Sequence, residues 1–231
     1  MEHKRLTLFA GHYGSGKTNI AVNYALKLAS EGKKVCIGDL DIVNPYFRTK
    51  DSAKELEAAG IDLISPQFAN SNVDLPALPA EAYRLVADKS VYSIMDIGGD
   101  DRGAYALGRY VPSILEENNY RMVFVANCYR PLTRTPEDAM EVMAEIEAAC
   151  GLKFTHIINN SNLGTETTVQ TVLNSQAYID KLSQLSRLPL FATTAVEAVA
   201  KELPEPVLPL RLQEKYFDLP SQKPANRPLW G

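Results

Sequence analysis

Cysteine is scarce in this chain: Cys36, Cys128 and Cys150 are widely spaced and form no Cys-x-x-Cys pair. An odd, scattered set excludes a disulfide framework and the paired ligands of a structural zinc site. Cys36 sits in an apolar, strand-like run and reads as a small core residue, whereas Cys128 follows a strand, where a metal shared between two subunits is the alternative reading. Histidine is equally sparse, and His3, His12 and His156 make no ligand cluster. No apolar run approaches the length of a bilayer span. Neither charge dominates: 24 basic against 28 acidic side chains leave a net −4, which argues against bulk nucleic-acid affinity but permits a local basic patch. The opening, Met1 to Arg5, is polar and leads directly into an apolar segment, without the pattern of a secretory signal. The expectation is a cytoplasmic protein with no transmembrane segment and no stable membrane association.

What the chain does contain is the run Gly11-His12-Tyr13-Gly14-Ser15-Gly16-Lys17-Thr18. It fits the phosphate-cradling pattern of Gly, four free positions, then Gly-Lys-Thr. The preceding Leu6 to Ala10 is a short apolar run, and Ala21, Tyr24, Ala25, Leu28 and Ala29 follow at helical spacing. A strand, a glycine-rich turn and a helix N-terminus make an anion site, because backbone N–H groups and the positive dipole end face the ligand. Gly11, Gly14 and Gly16 allow close approach of phosphate oxygens, Lys17 brings charge to the β- and γ-phosphates, and Thr18 brings a hydroxyl for Mg²⁺. Asn19 completes the nucleotide-binding set on this segment. The plain alternative is a glycine-rich turn carrying a surface lysine.

Alternating strand and helix patterns run from here to about residue 203. Strands are expected at 34–38, 61–64, 91–97, 122–126, 154–158 and 188–192. Helices are expected at 51–59, 80–88, 103–118 (kinked or divided by Pro112), from 135 onward, and at 165–186 and 197–202. Thr135-Pro136-Glu137 carries a cap, a first-turn proline and an acidic side chain at the positive dipole end. Continuous apolar strands predict an α/β fold of three layers, with a mainly parallel central sheet and helices on both faces. Residues 1–203 are thus expected to be a P-loop nucleotide-binding domain. The last 28, 204–231, hold six of the fourteen prolines and one candidate helix, Leu210 to Phe217, and read as a tail packed on the domain or on a partner.

Ligands of parallel sheets bind beyond the carboxyl ends of the strands, and polar groups gather at three such ends. Asp39 and Asp41 leave the second strand, so one could hold hydrated Mg²⁺ and the other orient a water; loop-capping turn chemistry is the alternative. Asp96 ends an apolar strand in the Walker B manner and would support the metal, while Gly98 and Gly99 would let a main-chain N–H sense the γ-phosphate. Asn159 and Asn160 follow the strand ending at Ile158 and offer amides suited to an adenine edge, or simply a turn.

Taken together, GHYGSGKT, GDLDIVNPYFR, DIGGD and RPLTRTPEDAMEVM resemble the MinD/ParA-type ATPases of the CobQ/CobB/MinD/ParA superfamily, over roughly residues 5 to 203. The resemblance implies Mg²⁺ support from Asp39, participation of Asp41 in hydrolysis, and adenine contacts from Asn159-Asn160 and from a loop near Thr193-Thr194. It also implies a homodimer closed around two ATP molecules and a client protein that the dimer engages or releases, metalloenzyme maturation being one setting. His12 departs from the pattern, standing where many such ATPases carry a second lysine that reaches across the dimer. Imidazole is shorter and supplies no fixed charge. An arginine is the expected substitute, with Arg48, Arg102 and Arg134 the candidates.

The leading expectation is a Mg²⁺-dependent ATPase switch in which Lys17 neutralises phosphate charge, Thr18, Asp39 and Asp96 serve the metal, and Asp41 orients water. A small-molecule kinase or ATP-dependent ligase is the alternative, with 67–79, Tyr46 and Arg48 as acceptor pocket. A DNA- or membrane-partitioning ATPase is a third, disfavoured by the acidic balance and the lack of a basic tail.

Overall fold

The computed structural model describes residues 3–41, 49–65, 80–99 and 101–212. Eight strands form one sheet: β1 (Leu6–Ala10), β2 (Val35–Asp39), β3 (Asp62–Ile64), β4 (Tyr92–Asp96), β5 (Tyr120–Ala126), β6 (His156–Asn159), β7 (Leu190–Val196) and β8 (Val207–Leu210). Their order is β3-β2-β4-β1-β5-β6-β7-β8, and every pairing is parallel. All carboxyl ends therefore meet at one edge. Helices described between them are α1 (Lys17–Ser30), α2 (Ala53–Ala58), α3 (Arg84–Ala87), α4 (Asp101–Leu107), α5 (Val111–Glu117), α6 (Pro136–Cys150), α7 (Val169–Leu173), α8 (Gln176–Ser186) and α9 (Glu197–Ala200).

The central strands are apolar on both faces because both faces are covered. Leu6, Leu8 and Ala10 of β1 pack with Met122 and Phe124 of β5 against Leu107, Ile114, Met143 and Ile146. Phe9, Val123 and Val125 face the other way, onto Ile20, Tyr24 and Leu28 of α1. Successive β1 side chains thus enter two separate cores, the period-two rule at work. The three-layer α/β fold expected from the alternation is the fold observed.

Local signals explain most boundaries. Thr135 and Asp138 exchange hydrogen bonds as a capping box that starts α6, with Pro136 in its first turn. Pro112 sits in the first turn of α5, and a 3-10 turn at Gly108–Tyr110 divides that helix from α4.

Three expectations are corrected. The single helix expected over 165–186 is two, α7 and α8, because Thr168 and Thr171 build a capping box and Ser175 breaks the run. Ser175 is buried, bonding through Oγ to the Val172 carbonyl at 2.6 Å and accepting from Asn159 Nδ2 at 2.9 Å. β7 continues to Val196, so Thr193 and Thr194 lie within a strand and not in the loop after it. Past residue 203 the chain adds an eighth strand beside β7, in register Thr193 to Val207 and Val196 to Leu210. Leu210 thus belongs to β8, whereas 213–217 of the expected helix lie outside the described residues. So do 67–79, Tyr46 and Arg48.

Candidate nucleotide-binding site

The loop between β1 and α1 wraps the carboxyl end of β1. Gly16 caps α1 with φ +94°, and a Cβ there would collide with the Asn160 amide. Only glycine meets both demands. Lys17 is buried and its Nζ donates to the His12 carbonyl oxygen at 3.2 Å, so the ammonium lies along its own loop. Gly99 closes over this loop: a Cβ on it would lie 2.7 Å from Tyr13 N and 2.8 Å from Lys17 Nζ. Gly98 is buried beneath. The His12 ring turns its Nδ1 to the Tyr13 carbonyl at 2.9 Å, an exposed contact.

On one side of the loop lie the carboxylates. Asp39 and Asp96 are register partners at the ends of β2 and β4, and both are almost wholly buried. Strands are about 4.8 Å apart, so the two carboxylates are neighbours. Asp39 Oδ1 accepts from Asp41 N at 3.0 Å, which is the loop-capping chemistry weighed above. Asp96 Oδ2 accepts from the Thr49 hydroxyl at 3.1 Å, and Oδ1 is buried without a hydrogen-bond donor. Burial pushes Asp96 up to about 6; Lys17 and the Thr18 and Thr49 hydroxyls oppose the rise, while Asp41 adds to it. A buried carboxylate with an unsatisfied oxygen beside a second buried carboxylate is a place where a cation lowers the energy. Thr18, Asp39 and Asp96 therefore fit Mg²⁺, which takes one or two carboxylates together with phosphate and water oxygens. Among the described residues no group of three or more His, Cys, Asp or Glu side chains could hold a metal unaided.

On the other side, toward β6, β7 and β8, a cavity of about 670 Å³ opens beside the loop. That volume suits a nucleotide-sized ligand. Tyr13, Gly14, Gly16, Lys17, Thr18, Asn19 and Asp41 line its loop end. Asn160 and Thr194 lie in its wall, and here the amide already has partners. Asn160 Nδ2 donates to the Ser15 carbonyl at 2.6 Å, and its Oδ1 accepts from the Thr194 hydroxyl, also at 2.6 Å. Asn159 lies behind the wall, its amide spent on Ser175 and on Ser161 N. Both amides thus brace the loop and the β6–β7 edge. Thr193 is buried in β7.

Sequence reasoning missed several wall residues: Arg130, Asn162, the 163–167 turn, Leu210 and Leu212. Asn162 Oδ1 accepts from Gly164 N at 3.1 Å, a turn that Asn-x-Gly spacing could have flagged. Leu210 and Leu212 could not have been placed without knowing that β8 joins the sheet. Of the candidate arginines, Arg134 is exposed and away from the cavity lining, while Arg48 and the side chain of Arg102 lie outside the described residues.

No family model matches the chain, and no curated protein matches it. Solved structures do. The cell division protein FtsY of Thermotoga maritima matches with a TM-score of 0.57 at 17% identity, over 85% of this chain and 63% of that one. The signal recognition particle receptor FtsY of Elizabethkingia anophelis, in complex with GDP, matches with a TM-score of 0.53 at 16% identity, over 82% and 57%. The signal recognition particle 54 kDa protein of Aeropyrum pernix, also in complex with GDP, gives 0.52 at 16% identity, over 80% and 40%. This chain spans less than two thirds of the length of each. At such identities the likeness is one of architecture, and the chain has the three-layer, parallel-sheet fold of the P-loop nucleoside triphosphatases.

Proposed function

We propose that the protein is a Mg²⁺-dependent ATP-binding switch that hydrolyses ATP slowly and engages a client protein. One observation carries the reading: a Gly-Lys-Thr loop at a helix N-terminus abuts two adjoining buried carboxylates, Asp39 and Asp96. Mg²⁺, when bound, would be held by Thr18, Asp39 and Asp96 and would offset charge that grows during phosphoryl transfer. The chain's own residues do the rest. Loop N–H groups and the α1 dipole hold the phosphates, Lys17 leaves the His12 carbonyl to meet them, and Asp41 is placed at the cavity to orient water.

The switch reading rests on two contacts around the γ-phosphate position. Gly99 packs against Tyr13 N and Lys17 Nζ, so a ligand that draws Lys17 forward must displace or reorder 98–99. Thr49 donates to Asp96, so the same event reaches Thr49. Loops that change state with the γ-phosphate are how such folds signal.

Adenine is favoured over guanine by the donor set. Guanine presents adjacent N–H groups best met by a carboxylate, whereas the described residues lining the β6–β8 end of the cavity are two asparagines, threonines and apolar residues, with no carboxylate among them. A homodimer closed on two nucleotides remains part of the proposal, through the family resemblance. Titration with MgATP and MgGTP tests the base: tighter ATP binding supports the reading. Equal or tighter GTP binding replaces ATP with a guanine nucleotide, as the GDP complexes of the structural neighbours would suggest.

A further inference from the structure

A nucleotide's phosphate chain is a polyanion, and three carboxylates, Asp39, Asp41 and Asp96, stand at this site with it. Lys17 is one cation against them. The described residues place a second cation in the cavity wall, Arg130, at the start of the segment where Arg134 was the expected candidate.

Arg130 lies in the turn after β5. That turn is held rigidly. The Asn127 carbonyl accepts from Arg130 N at 3.2 Å and from the Thr133 hydroxyl at 2.8 Å, and Asn127 Oδ1 accepts from Tyr129 N at 3.0 Å. Cys128 N donates to Ser161 Oγ at 3.2 Å, and the Tyr129 hydroxyl to the Thr171 carbonyl at 2.7 Å. Pro131 keeps Arg130 extended, at φ −101° and ψ 137°. The side chain then runs back to the phosphate loop, where Nε lies 4.0 Å from the Cβ position of Gly14. Nε is buried and has no acceptor, and no carboxylate pairs with this guanidinium among the described residues. A guanidinium with an unsatisfied, buried N–H beside a phosphate loop is arranged for an anion that has yet to arrive.

We propose that Arg130 contacts the phosphate chain of the nucleotide bound in its own subunit, supplying the site's second cation in cis. The inference rests on the nucleotide reading above and names a residue for it. It also removes the need for a cation from a partner subunit at this position, since the rigid turn and the phosphate loop belong to one chain.

The experiment is calorimetric titration of the full chain and of Arg130→Gln and Arg130→Lys with ATP, ADP and adenosine, at low and high salt. Charge-assisted contacts to phosphate predict that Arg130→Gln loses about ten- to hundredfold in ATP and ADP affinity, with adenosine unchanged. The loss should shrink at high salt, and Arg130→Lys should recover part of it. ATP and ADP affinities unchanged in Arg130→Gln would overturn the inference alone. So would an equal loss for adenosine, which marks a structural role in the cavity wall. If the unaltered protein binds neither ATP nor GTP, the nucleotide reading falls and this inference with it. Should Arg130→Gln fail to fold, Arg130→Lys decides: a loss confined to ATP and ADP that shrinks at high salt supports the contact, and unchanged ATP and ADP affinity, or a loss that adenosine shares, refutes it.

Discussion

Asn23, in α1, holds both backbone groups of Arg211: its Nδ2 donates to the Arg211 carbonyl at 2.9 Å and its Oδ1 accepts from Arg211 N at 2.8 Å. One side-chain amide thus substitutes for a strand partner at the end of β8. It fixes the chain between Leu210 and Leu212, two leucines of the cavity wall. Asn23→Ala should cost about 0.5–1.5 kcal/mol of local stability, the worth of the hydrogen bonds lost with Arg211. Hydrogen exchange should show faster opening of 207–212 with β1 and β5 unaffected. Unchanged exchange in β8 would show that its pairing with β7 suffices.

The Asn160 bridge gives a second prediction. Its amide joins the Ser15 carbonyl of the phosphate loop to Thr194 of β7. Asn160→Ala should release the loop from β7 and lower MgATP affinity by about tenfold, one lost charge-proximal hydrogen bond. Asn159→Ala, behind the wall, should lower the unfolding midpoint and leave affinity near its original value. The reverse pattern, with Asn159 governing affinity, would refute this division of roles.

Gly99 supplies a third. A methyl group added there meets Tyr13 N at 2.7 Å and Lys17 Nζ at 2.8 Å, and backbone yields poorly to such contact. Gly99→Ala should impair the closed arrangement of 98–99, lowering ATP hydrolysis more than ADP binding. Steady-state phosphate release paired with ADP titration checks it. Equal losses in both would mean that the glycine serves loop folding and not the γ-phosphate.

Acid stability is the fourth. His156 is held down to about 4 by burial first, then by the charges of Arg121 and Lys4. The unfolded chain therefore binds more protons than the folded one between pH 6.5 and about 4, and stability should fall as pH drops through that window. Replacing the ring by His156→Phe keeps the edge contact with Phe191 and should flatten this part of the profile. Urea unfolding at pH 4.5 and 7 in both proteins measures the difference; an equal fall in each would assign it to other groups.

How far the sequence foretold this arrangement depends on the range of the physics involved. The phosphate loop, the α6 capping box and the Asp96 strand end were legible because each is set by neighbours within a few residues. The break at Ser175 was not, since it is stabilised by Asn159, sixteen residues earlier on another strand. β8 was hidden for the same reason: Val207–Leu210 is a strand because β7 and Asn23 give it partners, and its prolines suggested a tail. The Asn159-Asn160 pair was found for its chemistry, but its observed partners are Ser175, Ser161, Ser15 and Thr194. Arg130 was passed over for Arg134 after the same strand, because only the fold of the 127–133 turn shows which of the two side chains reaches the phosphate loop.

The most direct measurement is calorimetric titration of ATP into the full chain and into Lys17→Ala, each with and without Mg²⁺. Lys17 is the loop's buried ammonium, and its loss should weaken MgATP binding by at least about tenfold. Omitting Mg²⁺ should weaken binding in the unaltered protein as well, because Asp39 and Asp96 then face the phosphates without an intervening cation. ATP affinity that is indifferent both to Lys17 and to Mg²⁺ would contradict the account.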